Sequence, residues 1–209
     1  MTLRLNGSSS GYTEIDAPAV AGSNTLVLPT GNGSDGNILG TDGAGNLSWV
    51  NGRMVLETAK ASTSGTSVFF TGIPSWVKRI TVMFDGVSTN GTSPPQVQIG
   101  DSGGIETSGY LCSNSVITTT VATANGTTGY RIGVNNWAAT VLANGSIVIT
   151  NLSGNTWSAF GVVGDSASAL TYLTAGSKSL SGTLDRIRII TVNGTDTFDA
   201  GSINILYEG

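Results

Sequence analysis

Histidine is absent from this 209-residue chain, and cysteine occurs once, at Cys112. A Ser-His-Asp mechanism needs an imidazole to take the serine proton, so that route to hydrolysis is closed. One thiol rules out an internal disulfide and a cysteine-built zinc site. Charge is scarce as well: 11% of residues are charged, against about 25% in an average soluble domain. A net charge of −4 with no basic cluster gives no means of neutralising a row of phosphates. Nucleic acid is therefore not an expected partner, and neither is an anionic membrane. No apolar run approaches the roughly 18 residues of a membrane span. The segment from Met1 to Leu5 also lacks the apolar stretch of a secretory leader, so synthesis in a cytoplasm and no membrane insertion are expected.

The chain is rich instead in small and polar turn-formers, with 30 glycines and many Ser, Thr and Asn. Asn-Gly pairs begin at Asn6, Asn32, Asn51, Asn90, Asn125, Asn144 and Asn193, and Asp-Gly pairs at Asp35, Asp42 and Asp85. A two-residue hairpin needs φ > 0 at both central positions, which Asn tolerates and Gly adopts freely, so these pairs predict antiparallel hairpins. Six of them, continued by Ser or Thr, also spell N-glycosylation sequons, and Asn46 and Asn151 begin two more. With no leader these eight read as turns.

Residues 1–52 differ from the rest, holding 10 of the 30 glycines and only short apolar stretches such as Leu26-Val27-Leu28. Two strandlets are predicted there, Asn37-Ile38-Leu39 and Asn46-Leu47-Ser48-Trp49-Val50. Such a segment buries no core alone: it is either a flexible linker or a segment that orders against copies of itself or against another protein, and the spaced Leu, Ile and Trp favour the second. From Met54 the strand signal becomes dense. Strands are predicted at Met54–Thr58, Ser67–Thr71, Val77–Phe84, Gln96–Ile99, Tyr110–Ser113, Val116–Thr123, Gly129–Val134, Ser146–Asn151, Ser158–Val163, Leu170–Thr174, Arg186–Val192 and Ser202–Tyr207. Ile80, Val82 and Phe84 alternate on one face, as do Ile187 with Ile189, and Ile203 with Ile205 and Tyr207. No stretch has a helical period with caps, beyond a short turn from Pro74 to Val77. The expected fold is all-β: an extended N-terminal strand and hairpin segment over 1–52, then an antiparallel β-sandwich of jelly-roll type over 54–209.

Motifs that suggest chemistry fail on their own requirements. Gly100-Asp101-Ser102-Gly103-Gly104 spells the serine-protease nucleophile signature, but without histidine, and with no lysine in a recognisable pattern, it reads as a tight loop between strands. Gly31-x-Gly33-x-x-Gly36 fits the dinucleotide fingerprint, which works only when a helix follows, and here turn sequence follows. Carboxylate pairs that could serve glycoside hydrolysis are Asp101 with Glu106, Asp196 with Asp199, and Glu14 with Asp16. Asn193, Asp196 and Asp199 could offer oxygens to calcium, though the ligand count is short and solvated turn carboxylates are expected. No catalytic residue, cofactor or metal is assigned. The remaining candidate is a glycan or receptor contact at Tyr130, Arg131, Asn136, Trp137 and Trp157, where aromatic faces stand beside amide and guanidinium donors. Trp76 beside Pro74 reads as a core or interface residue.

The segment Leu28-Pro29-Thr30-Gly31-Asn32-Gly33-Ser34-Asp35-Gly36 through Gly43-Ala44-Gly45-Asn46-Leu47-Ser48-Trp49 resembles the hairpin-like segment near the start of many bacteriophage tail-fibre proteins. Phe70-Thr71-Gly72-Ile73-Pro74-Ser75-Trp76 through Phe84, Gln98 to Gly104, and Leu184-Asp185-Arg186-Ile187-Arg188 through Asn204 resemble a β-domain of phage and prophage tail fibres. The resemblance implies an intertwined homotrimer whose N-terminal part joins the tail, the baseplate or another virion protein, and whose distal domain contacts a host-surface glycan or protein. It supplies no catalytic residues and implies localisation in the virion. A chain of this length fits a stubby fibre. A capsid decoration or head-fibre protein is the alternative, and a glycan depolymerase is disfavoured because no parallel β-helix repeat is present.

Overall fold

The computed structural model describes residues 3–16, 18–20, 22, 23, 25–34, 36–52, 54–117, 121–134 and 137–209. Among the described residues there is no helix; the chain is all-β, in antiparallel sheets. Asp35, Thr118 to Thr120 within the predicted strand Val116–Thr123, and the candidate Asn136 lie outside the described residues. Two compact units divide the chain, residues 1–52 and residues 53–209.

In the first unit, β1 (Leu3–Asn6) and β2 (Tyr12–Ile15) form a hairpin closed by the Gly7 N–H on the Gly11 carbonyl at 3.0 Å. Arg4 bonds Glu14 at 2.7 Å and lies 3.8 Å from the centre of the Tyr12 ring, all on an exposed surface. A second hairpin joins β3 (Asn37–Thr41) to β4 (Leu47–Asn51). Asp42 organises its turn, accepting the Ala44 N–H at 2.8 Å and the Asn46 side-chain amide at 2.7 Å, so its carboxyl is held below the ordinary value, the Asn46 bond contributing most. Val27 runs parallel beside Asn46, its N–H on the Gly45 carbonyl at 2.9 Å. The Trp49 indole donates to the Gly31 carbonyl at 3.0 Å and covers Gly33, whose φ is +70° and where a Cβ would come within 2.8 Å of the ring. The glycine spacing that mimics a dinucleotide loop thus serves the close approach of a tryptophan, and a hairpin stands where the helix would have to be.

In the second unit the edge pieces β5 (Met54–Leu56) and β6 (Lys60–Ala61) precede β7 (Ser67–Thr71) and β8 (Arg79–Thr89). Next come β9 (Pro95–Asp101), β10 (Gly104–Ile105), β11 (Leu111–Ile117), β12 (Ala122–Gly126) and β13 (Tyr130–Arg131). The chain ends with β14 (Ala143–Ser153), β15 (Thr156–Asp165), β16 (Leu170–Ser179), β17 (Arg186–Thr191) and β18 (Phe198–Glu208). A nine-stranded sheet runs β12-β11-β16-β15-β14-β8-β18-β5, with β6 also on β18. A five-stranded sheet runs β10-β9-β17-β7, with β13 also on β9. Period-2 alternation sends Ile80, Val82, Ile147, Ile149, Ile203 and Ile205 of the first, and Val97, Ile99, Ile187 and Ile189 of the second, into one shared core. The turn at Pro74 is present, closed by the Val77 N–H on the Pro74 carbonyl at 3.1 Å.

The Asn-Gly and Asp-Gly pairs do less uniform work than hairpin chemistry predicts. The pairs at Asn6 and Asp42 sit in hairpin loops, but Asp85-Gly86 and Asn144-Gly145 lie inside long strands as β-bulges, and Asn90-Gly91 and Asn193-Gly194 lie in connections from one sheet to the other. Gly145, Gly86 and Gly201, each at positive φ, fall side by side on β14, β8 and β18, where both registers shift. The Gly86 N–H donates to Asn144 Oδ1 at 2.8 Å, locking two of the bulges together. Such a line of bulges bends a sheet and increases its local twist. The hairpins that build β14-β15-β16 use Gly154-Asn155 and the stretch from Ser166 to Ala169 instead.

Candidate functional site

Four of the five residues expected to contact a glycan are described, and all four are buried: Tyr130, Arg131, Trp137 and Trp157. Trp137 stacks on Tyr172 with ring centres 5.2 Å apart, and its exposure is 2%. The Tyr130 hydroxyl, on β13 of the small sheet, donates to the Trp157 carbonyl on β15 of the large one at 3.0 Å, and its ring meets Tyr110 edge-on at 5.1 Å. Tyr110 in turn accepts the Ile99 N–H at 2.7 Å. Burial raises the pKa of both tyrosine hydroxyls, lowers that of Arg131 and raises that of the enclosed Cys112 thiol. A sugar stacks only on a ring face that water can reach, so these rings fasten the two sheets together and leave no face for a ligand. Trp76 is partly buried, 5.7 Å from Tyr207, as an interface or core residue should be.

The carboxylates resolve into latches. Asp101 ends β9, and Ser102-Gly103 forms the two-residue turn to β10, with the Gly103 N–H on Asp101 Oδ1 at 2.8 Å. The Ser181 hydroxyl lies 2.8 Å from Asp101 Oδ2 and 2.9 Å from Glu106 Oε1, and with a single proton it donates to one of them at a time. Glu106 also accepts the Ser181 N–H at 2.7 Å and pairs with the buried Lys178 ammonium. Asp101 is held below the ordinary carboxyl range by Ser181 first and the Gly103 amide second. Burial works against the Glu106 carboxylate, and the bonds from Lys178 and Ser181 outweigh it, so its pKa is lowered too. The cluster is a clasp that ties the end of β9 and the loop after β10 to the end of β16. Asp196 accepts the Ser93 N–H at 2.9 Å and the Asn193 amide at 2.6 Å, while Asp199 is exposed on β18. Amide donors occupy oxygens that a calcium ion would need, and the described residues hold no group of three His, Cys, Asp or Glu side chains placed to hold a metal ion. Glu14 pairs with Arg4.

Large apolar side chains are exposed in both units. Not one described residue between 3 and 52 is fully buried, and Leu3, Leu5, Ile15, Leu26, Leu28 and Ile38 all stand exposed there. In the second unit Leu111, Phe160, Val162 and Leu173 lie on the outer face of the nine-stranded sheet. A signal for the latter was present in the run Ala159-Phe160-Gly161-Val162-Val163, which is apolar at successive positions and so on both faces of its strand. Comparison with protein-family models, with curated proteins and with solved structures returns no match to this chain.

Proposed function

We propose that this chain is a structural and adhesive virion protein: a homotrimeric bacteriophage tail fibre that joins the tail or baseplate through residues 1–52 and presents residues 54–209, a jelly-roll-like sandwich, to the host surface. The observation that carries the reading is the first unit, which has regular hairpins and yet no fully buried residue among those described. A two-stranded hairpin is marginal in water, so its order has to come from burial against other chains. Three intertwined copies and a virion partner supply that burial. The second unit, with its own core and few charges, is a rigid tip. Weak contacts to a surface glycan or protein, repeated over three chains, add up to durable attachment through effective concentration. Those contacts fall to polar loop residues, because the aromatic candidates are enclosed.

Imaging of virions that carry a labelled copy of the protein tests the assignment. Label at the tail is the expected result. Label at capsid vertices or capsomers would replace this reading with a head-fibre or decoration role, and release of reducing ends from host polysaccharide by the purified protein would replace it with a depolymerase.

A further inference from the structure

The five strands β11, β12, β14, β15 and β16 contain only two charged residues, Asp165 and Lys178, and both point inward and are buried. Their outer face therefore carries no charge at all. Phe160 is 62% exposed, Val162 49% and Leu173 38%, set among serines, threonines and alanines. On the neighbouring strands β8 and β18, Arg79 and Glu208 pair with each other at 3.1 Å, and Asp85 and Asp199 are exposed.

We infer that this face packs against the same face of other copies of the chain. The inference rests on the self-association proposed above and adds a second contact, inside residues 54–209 and independent of residues 1–52. Charge is the first argument. A face gathered around a rotation axis meets its own image, so every charge on it would meet a like charge or need a partner of opposite sign at a symmetry-related point. A neutral face meets its image without repulsion, and it offers nothing to steer a charged partner of another kind. Relief is the second. Reading across the strands in register, Phe160 is followed by Ala175 and then Ser113, so a protruding ring stands beside a floor of small side chains. The open groove above that floor measures about 380 Å³ and is walled by Phe160, Val162 and Leu173. A ring from one copy seated on the floor of the next satisfies both features.

Area is the third argument. The five adjacent strands β12, β11, β16, β15 and β14, at a spacing of about 4.8 Å and with about seven residues of about 3.3 Å each, present roughly 550 Å² in projection. Side-chain relief brings this toward the roughly 800 Å² that each partner contributes to a standard stable interface.

The full-length chain is suited to the test because its only native thiol, Cys112, is buried and silent. Two single variants, Val162→Cys on the face and Ser64→Cys in an exposed loop, are labelled with a maleimide in parallel with measurement of native mass by sedimentation. The expected result is an oligomer in which the Val162→Cys thiol reacts roughly tenfold or more slowly than the Ser64→Cys thiol, since reaction requires local opening. A second variant, Val162→Lys with Leu173→Lys, is expected to keep the β circular dichroism and lose mass or oligomer stability on dilution. If it fails to fold, the labelling rates decide. An oligomer in which both thiols react equally fast would overturn this inference alone, and would leave the face to a partner of another kind. A mass equal to one chain would overturn both this inference and the homotrimer.

Discussion

The indole of Trp137 has Tyr172 on one side and Gly133 against its edge, in a core where neighbouring side chains are fully enclosed. Deleting such a side chain loses its transfer free energy and leaves a cavity. Trp137→Ala is therefore expected to destabilise residues 54–209 by about 3–5 kcal/mol, measured by urea unfolding of the variant against the parent. An adsorption defect in that variant would follow from loss of fold. Sequence neighbours point the other way: two asparagines before the ring, with a tyrosine and an arginine nearby, look like a wet binding surface. Local polarity does not report burial here, because the ring is covered by Tyr172 of β16, far along the chain.

Long strands in this protein are bent by design. β14, β8 and β18 each run for eleven or so residues and carry a positive-φ glycine on one lateral line. At Gly201, φ is +87° and a Cβ would lie 2.4 Å from the Gly86 carbonyl oxygen. Gly201→Ala is expected to cost about 1–3 kcal/mol, checked by thermal unfolding, whereas the same change at an open turn glycine costs less. The clasp of Asp101, Glu106, Ser181 and Lys178 makes a pH prediction. Both carboxyls are lowered in the folded protein from ordinary values of 3.8 and 4.5. Their contribution to stability is thus complete above those ordinary values and is lost as pH falls through the lower folded ones. The midpoint of thermal unfolding should fall as pH is taken from 5 toward 3 (about the range of carboxyl titration). Ser181→Ala removes a donor from the clasp and lets the folded carboxyls return toward their ordinary values, so it should make that fall smaller. An unchanged acid profile in Ser181→Ala would show that the hydroxyl does not hold these carboxyls down.

Every described residue of the buried cluster, from Val68 to Tyr207, lies within residues 54–209. Deletion of residues 1–52 is expected to leave a folded all-β protein by circular dichroism that no longer joins the virion. Normal incorporation of the truncated chain, measured by its abundance in purified particles, would remove the attachment role from the first unit. The division of labour has a physical basis: fifty residues with short apolar stretches cannot offset their own ordering entropy, while one and a half hundred with alternating strands can.

The sequence by itself determined the all-β character, the absence of imidazole and disulfide chemistry, and the core faces of β8, β17 and β18, because a period of two in β-branched residues survives in any register that buries it. The two strandlets before residue 52 were legible for the same reason, as turn chemistry is local. Tertiary structure decided the rest. Whether an Asn-Gly pair becomes a hairpin, a bulge or a passage between sheets depends on which strand lies opposite, and so do the enclosure of Trp137 and Trp157 and the pairing of Asp101 with Ser181, eighty residues apart. Those contacts are long-range, and residue order alone carries no record of which partners the folded sheets bring together.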